Sequence, residues 1–438
     1  MKVFKLYPRE CANRSRFAEP RVDAQNDHSF SWLFCVWSET KGMIITMRNT
    51  GVVARGIMTP IFRQGDDIVD QICVSLLDAA ESEGFALGDG DIVGVTEAVV
   101  GRVQGNYATI GQISKDIRAK FGGGALGLVF PILSRNRFAN VLLGIAGGCE
   151  KLYIQLSYPC DEVGNKLVDI SVCDFNSVNP YTDNFTEAEF REIFGMDTVH
   201  GFTGVDYIEY YKEIGGNCEI IFSNDPRFVL NFTKNVLCCD IHSRCRTQAI
   251  IQDAGAERCL RLDDILCEPV DGSGSSEYGL LGSNKATDES VKLFPRDVSD
   301  FVHKLQAELK ERTGVSMEVM VFGDGCFKDP VGGIWELADP VVSPAFTDGL
   351  SGTPNELKIK YIADNDYSHL SGDELTKSIR ERVKAKKGSL VGNIAAEGTT
   401  PRRIHDLVGS LCDLVAGSGD RGTPVVLVQN YFKNYASD

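Results

Sequence analysis

The sequence has no apolar run approaching the roughly 20 residues needed to cross a bilayer as a helix, so a helical membrane span is not expected. Its opening, MKVFKLYPRECANRSRFAEP, lacks the apolar core and small-residue cleavage site of a secretory signal, which argues against export. None of the 14 cysteines forms a C-x-x-C pair. Without that spacing or an export signal, reduced thiols in the cytoplasm are expected, most of them serving as small buried apolar groups. G-x-S-x-G and H-E-x-x-H are absent, so neither a serine nucleophile on a sharp elbow nor a helix-borne zinc pair is supported. Positive charge is also in deficit. Against 61 acidic residues stand 45 Lys and Arg, a net charge of −16. That excess repels phosphate backbones and anionic lipids, so neither nucleic acid nor a membrane is an expected partner. A local basic pocket for a small anion stays open.

The chain does have enough apolar residues for a packed core, 43% of 438, and enough length for two or three domains. Residues 1–46 show no helical or strand period. They read either as an appended or misassigned leader, with Met43 or Met47 as a second candidate start, or as an ordinary surface arm. From Thr50 the pattern becomes regular. GVVARGIMTPIF predicts a strand ending at Pro60. Ile68, Ile72, Leu76, Leu77 and Ala80 then recur at helical spacing, with acids in the first turn and Gly84 as a stop. DGDIVGVTEAVV predicts a buried strand running to about Val100. A short helix over 107–121, ended by Gly122, precedes the buried strand ALGLVFPIL. Further strands are expected at KLYIQLSYP, CEIIFSND, MEVMVFGD and PVVLVQNYF, with helices at Thr186–Phe194, at Val298–Arg312 and from Pro401. Asp271–Ser276 (DGSGSS) predicts a flexible junction. Strands and helices alternate without a clean doubly wound rhythm, so the fold class is α+β, a mixed α/β chain. It divides into 47–150 as the first part of a core, 151–270 as an inserted α/β region, and 271–438 as the rest of the core.

Several segments carry candidate chemistry. Asp324 ends an apolar strand and precedes Gly325. A carboxylate held there suits a hard cation such as Mg²⁺, and an Asx turn leaving the strand accounts for it equally simply. Gly282, Ser283, Lys285 and Asp288 lie in GSNKATDES. Backbone N–H groups of such a loop bind phosphate and Lys285 neutralises it, while the plainer reading has Asp288 capping a following helix. The Walker A spacing is absent. In TEAVVGRVQGN, Gly101 and Gly105 let the backbone approach a ligand and Arg102 offers a forked cation; a tight turn with a solvated arginine is the alternative. In RGIMTPIFRQGDD, Arg55 and Arg63 flank a bend whose acids read first as helix-start residues. CCDIHSRCRT has residue types that bind metals but not zinc-site spacing, so core packing is expected for Cys238 and Cys239.

In their order along the chain, GIMTPIFRQGDDI, DGDIVGVTEAVVGRVQG, YGLLGSNKATDES, the strand ending in Asp324 and GTPVVLV resemble the coenzyme F420-0:L-glutamate ligase family. The likeness covers roughly Gly51–Gly105 and Gly279–Val428. It implies an α+β γ-glutamyl ligase fold with an insertion and an intertwined homodimer. It also implies a cytoplasmic enzyme that joins L-glutamate to a carboxylate acceptor with GTP (or ATP) and Mg²⁺ or Mn²⁺. By the resemblance, Asp288 and Asp324 take the metal-binding positions, and Glu97 and Arg102 the nucleotide-contacting ones. Lys285 joins Arg102 and Asp324 as a catalytic candidate, with Gly282 and Ser283 beside the nucleotide. The chain departs from the family pattern at Gly325 (threonine in the family), at Val291 (asparagine) and in GDGCFKDP. These departures admit folate or another acceptor, or a homologue that binds nucleotide or metabolite without catalysis.

Overall fold

The computed structural model describes residues 50–196, 198–201, 203–323, 327–328, 335–336, 342–396, 403–417 and 420–437. The expected leader, 1–46, lies outside them, as does Asp324. The chain opens with β1 (Val53–Ile57), α1 (Ile68–Glu83), β2 (Ile92–Thr96), α2 (Glu97–Val103) and β3 (Tyr107–Thr109). A long α/β stretch follows: α3 (Ile110–Phe121), β4 (Ala125–Val129), α4 (Ala139–Gly147), β5 (Lys151–Leu156), α5 (Ile170–Phe175), β6 (Phe185–Thr186), α6 (Glu187–Phe194), α7 (Tyr207–Gly215), β7 (Cys218–Phe222), β8 (Asn235–Cys238), α8 (Arg244–Asp253) and β9 (Arg258–Arg261). A hairpin of β10 (Asn284–Thr287) and β11 (Ser290–Lys292) returns the chain to α9 (Val298–Thr313), β12 (Glu318–Phe322), β13 (Phe327–Lys328), β14 (Trp335–Glu336) and β15 (Ala345–Phe346). It closes with α10 (Ile359–Asn365), α11 (Gly372–Lys384), α12 (Ile404–Val415) and β16 (Val425–Gln429). The fold is α+β, as the alternation of strands and helices predicted.

Two large sheets organise these elements. The first has the order β1-β16-β2-β12-β15, with β2 and β12 parallel and the other neighbours antiparallel. Because strand side chains alternate, Val93, Val95, Val425 and Leu427 face a core shared with α1 and α9, while Ile92, Val426 and Val428 pack with Val408 and Cys412 of α12. Both faces are covered, which is why these strands read as continuous apolar runs. α1 begins where its sequence signals place it: the Asp67 carboxylate accepts from Asp70 N at 3.1 Å, and Gly84 ends the helix at φ 68°.

The second sheet has the order β6-β7-β5-β4-β8-β9, parallel except for the edge strand β6. From β4 the chain winds outward through β5 to β7, then returns to the other side for β8 and β9. That reversal leaves a crevice outside the carboxyl ends of β4 and β8, where doubly wound sheets bind ligands. This second sheet includes β4, and so begins before residue 151. β4 reads the same whether it pairs with β2 or with β5, and only the pairing assigns it.

Three local expectations are corrected. The strand predicted to reach Val100 stops at Thr96, and Glu97 opens a helix. GSNKATDES is a hairpin rather than a loop, so Asp288 sits at its turn and caps no helix. Asp271–Ser276 is pinned rather than a free junction: Gly274 N donates to Tyr107 O at 2.7 Å, and Ser275 N donates to the buried Asn106 Oδ1 at 3.0 Å. A Cβ on Gly274 would collide with that same Oδ1.

Candidate functional site

The parallel pair β2 and β12 is paired in register from Glu318↔Ile92 to Phe322↔Thr96, so both strands deliver their carboxyl ends to one edge of the first sheet. Immediately after Thr96, Glu97 occupies the first turn of α2, where a helix N-terminus favours a negative side chain. Its Oε2 accepts from Lys292 Nζ of β11 at 2.6 Å. Both residues are buried, Glu97 4% and Lys292 8% exposed. Gly101 lets α2 pack closely against this segment. A Cβ there would lie 3.1 Å from Leu293 O and 3.8 Å from Lys292 Nζ.

A separate polar network joins the same two segments. Asn106 Nδ2 donates to Phe294 O at 2.8 Å and to Ser275 O at 2.9 Å, and its Oδ1 accepts from Arg296 Nη1 at 2.8 Å. Gln104 Nε2 donates to Arg296 O at 2.5 Å, and Gln104 Oε1 accepts from Arg296 N at 3.1 Å. Residues 97–106 and 292–296 are thus joined across nearly two hundred positions of sequence. Arg102 is exposed in the last turn of α2.

The hairpin bearing the other predicted residues has two ends. At its turn, Lys285 Nζ and Asp288 Oδ1 pair at 2.7 Å, with the Asp288 side chain 92% exposed. That pair holds the Lys285 ammonium charged more firmly and the Asp288 carboxyl below the usual carboxylate range. At the other end, Lys292 lies opposite Asn284. Cross-strand partners share a face and neighbours alternate, so Lys285 and Lys292 belong to opposite faces. Lys285 N donates to Asn136 O at 2.7 Å, and Asn140 Nδ2 donates to Thr287 O at 2.8 Å, which seats the turn against the loop after β4 and the start of α4. The predicted residues are therefore split. Glu97 and Arg102 share α2, Lys285 and Asp288 share the hairpin turn, and the buried cation beside Glu97 is Lys292, which sequence reasoning missed. Gly282 has φ 67°, and the Ser283 hydroxyl, in a residue 1% exposed, has no hydrogen-bond partner among the described residues. Asp324, the other expected metal ligand, lies outside the described residues.

A family model described as F420-0:Gamma-glutamyl ligase matches residues 56–430. The chain belongs to the F420-0:γ-glutamyl ligase family. The match runs across residues of both sheets. No curated protein matches the sequence. Val291, where the resemblance led us to expect asparagine, is 1% exposed and packs in the core beneath the six-stranded sheet.

Other places of possible chemistry are occupied or plain. At the crevice between β4 and β8, the Asp161 carboxylate accepts from Leu133 N at 2.8 Å. Glu162 accepts from Ile241 N at 2.7 Å, His242 N at 3.0 Å and Ser243 N at 2.7 Å. The chain's own acids fill the position a ligand anion takes in doubly wound sheets. An open groove of about 1030 Å³ between β1 and α1 is lined by Arg55, Thr59, Asp70 and Phe85, and of the candidate segments only the one bearing Arg55 reaches it. Arg55 is engaged there with Gln429 at 2.6 Å and over the Phe85 ring at 4.6 Å. Cys238 and Cys239 are buried, as core packing predicted, and no group of three His, Cys, Asp or Glu could hold a metal among the described residues. No helix among the described residues is long and apolar enough to cross a membrane.

Proposed function

We propose that this chain forms an amide between an acceptor carboxylate and L-glutamate at the expense of GTP or ATP, as a cytoplasmic homodimer. The family match over residues 56–430 carries this reading. The carboxyl edge of β2 and β12, with its buried Glu97–Lys292 pair and the neighbouring hairpin, supplies a place for it.

The residues suit a nucleotide and a hard cation. Asp288 presents an exposed carboxylate whose ion-pair partner among the described residues is Lys285 alone. Mg²⁺ takes one or two protein carboxylates and completes its shell with phosphate oxygens and water, so one described acid is no misfit. The Ser283 hydroxyl, buried without a partner two residues before Lys285, is a polar atom still to be satisfied. When bound, Mg²⁺ or Mn²⁺ would neutralise the charge spread over the transferring phosphoryl oxygens.

The chain's own part is positioning and electrostatics. The acceptor carboxylate attacks the γ-phosphorus, and the nucleoside diphosphate leaves. The glutamate amine, as the free base, then attacks the acyl carbon, phosphate departs with the bonding pair, and the proton shed by nitrogen passes to that phosphate. Arg102 on α2 and Lys285 of the hairpin offset the negative charge carried through both steps.

The test is phosphate release from GTP and ATP with Mg²⁺ or Mn²⁺, L-glutamate and a panel of acceptors that includes coenzyme F420-0 and folates. Nucleotide turnover that needs both acceptor and glutamate, with a product heavier by one glutamyl unit, is expected. Absence of turnover with every acceptor would remove the ligase reading.

A further inference from the structure

We propose that Lys292 is the ammonium that receives a terminal phosphate oxygen of the nucleotide, with Glu97 holding it in place. This rests on the ligase reading and names a cation that reading did not contain.

Four observations converge on Lys292. An ammonium has three N–H donors, and among the described residues Glu97 is the sole hydrogen-bond partner of this one. Unspent donors on a group 8% exposed are expensive unless something accepts from them. Next, the pair stands at the carboxyl edge of the one parallel strand pair in its sheet, beside Thr96 and Phe322, where open α/β sheets present ligands. Third, Gly101 brings the backbone of α2 into close contact with this segment: its absent Cβ would lie 3.1 Å from Leu293 O and 3.7 Å from the Lys292 stem, so the side chain is held against the helix. Finally, stability alone is a poor reason for the pair, because a buried ion pair is commonly replaceable by apolar side chains of similar volume without loss. Lys285, the cation that the motif itself suggests, is 41% exposed in its side chain and already spent on Asp288.

The geometry gives Lys292 a divided task. One N–H stays with Glu97 and fixes the direction of the side chain, and the others donate to a phosphate oxygen without reorganisation. No proton moves in this step. The contact is charge-assisted and persists as the γ-phosphoryl group transfers.

Calorimetry with GTP and with guanosine on the full chain tests the assignment. Lys292→Met should weaken GTP by roughly 10- to 100-fold, the loss expected for one charged hydrogen bond, and leave guanosine affinity unchanged. Lys377→Met, exposed on α11, serves as the charge control and should change neither. Because the single change strands a buried carboxylate, Glu97→Leu/Lys292→Met is the second variant. It should fold, melt near the wild type, and show the same selective loss of GTP. Wild-type GTP affinity in either folded variant overturns the assignment, as does equal weakening of GTP and guanosine. Failure of the double variant to fold would make the pair structural and overturn it too. A wild type that binds GTP through Lys292 yet never turns it over sinks the ligase reading alone.

Discussion

Asp240 should make this protein less stable as pH rises toward neutrality, and Asp240→Asn should remove that loss. Asp240 follows β8 and is 1% exposed. Its Oδ2 accepts from Thr247 Oγ1 at 2.7 Å, while its Oδ1 has no partner. Burial raises its pKa from 3.8 to about 7, against the opposing Thr247 bond and with the Glu162 charge adding to the rise. The folded chain therefore holds this proton more tightly than the unfolded chain does. Stability is full below the unfolded value and falls as pH climbs through the folded one. At about 1.4 kcal/mol per decade of pKa difference, the gap is worth about 4 kcal/mol once pH exceeds 7. An asparagine keeps an oxygen for Thr247 and never ionises. Between pH 5 and pH 8, its advantage over the wild type should grow by about 3 kcal/mol. Urea unfolding of both proteins across that range measures the difference directly. A constant difference between the two, or a variant that loses ground as pH rises, would refute the argument, because burial would then not be acting on this carboxyl.

Glu162→Ala leaves Ile241, His242 and Ser243 without their shared acceptor at the start of α8. A loss of about 2–4 kcal/mol in urea is expected, and an unchanged midpoint would mean that water satisfies those amides as well as the carboxylate does. Asn106→Ala removes bonds to Ser275, Phe294 and Arg296 from a fully buried site and should cost about 2–4 kcal/mol. It should also expose residues 271–276 to limited proteolysis. Resistance equal to that of the wild type would show that the bonds from Tyr107, Gln112, Lys115 and Leu266 hold the segment without Asn106.

How far the sequence could be read depended on the range of the interactions involved. α1 was legible because its start, at Asp67, and its stop, at Gly84, depend on neighbours a few residues away. The strands of the first sheet were legible because burial on both faces leaves long apolar runs. The step from β2 to α2 was not, because β-branched Val99 and Val100 following an apolar strand extend its pattern through a turn that only packing reveals. The hairpin of 284–292 was missed for a related reason: its strands are short, mostly exposed on β10, and carry no turn signal stronger than Asp-Glu.

Taken alone, the sequence determined the family, the α+β class, the positions of most strands and helices, and a surface poor in positive charge. These follow from composition, local periodicity and motif order. Tertiary structure decided which side chains meet. It placed Lys285 with Asp288 at one end of a hairpin and joined Lys292 to Glu97 at the other. It also put β4 in the six-stranded sheet and filled that sheet's crevice with Glu162. A lysine in a run such as VKLF has no local mark of its partner. A pairing across 195 positions exists only once the sheet edge, α2 and the hairpin have packed against one another.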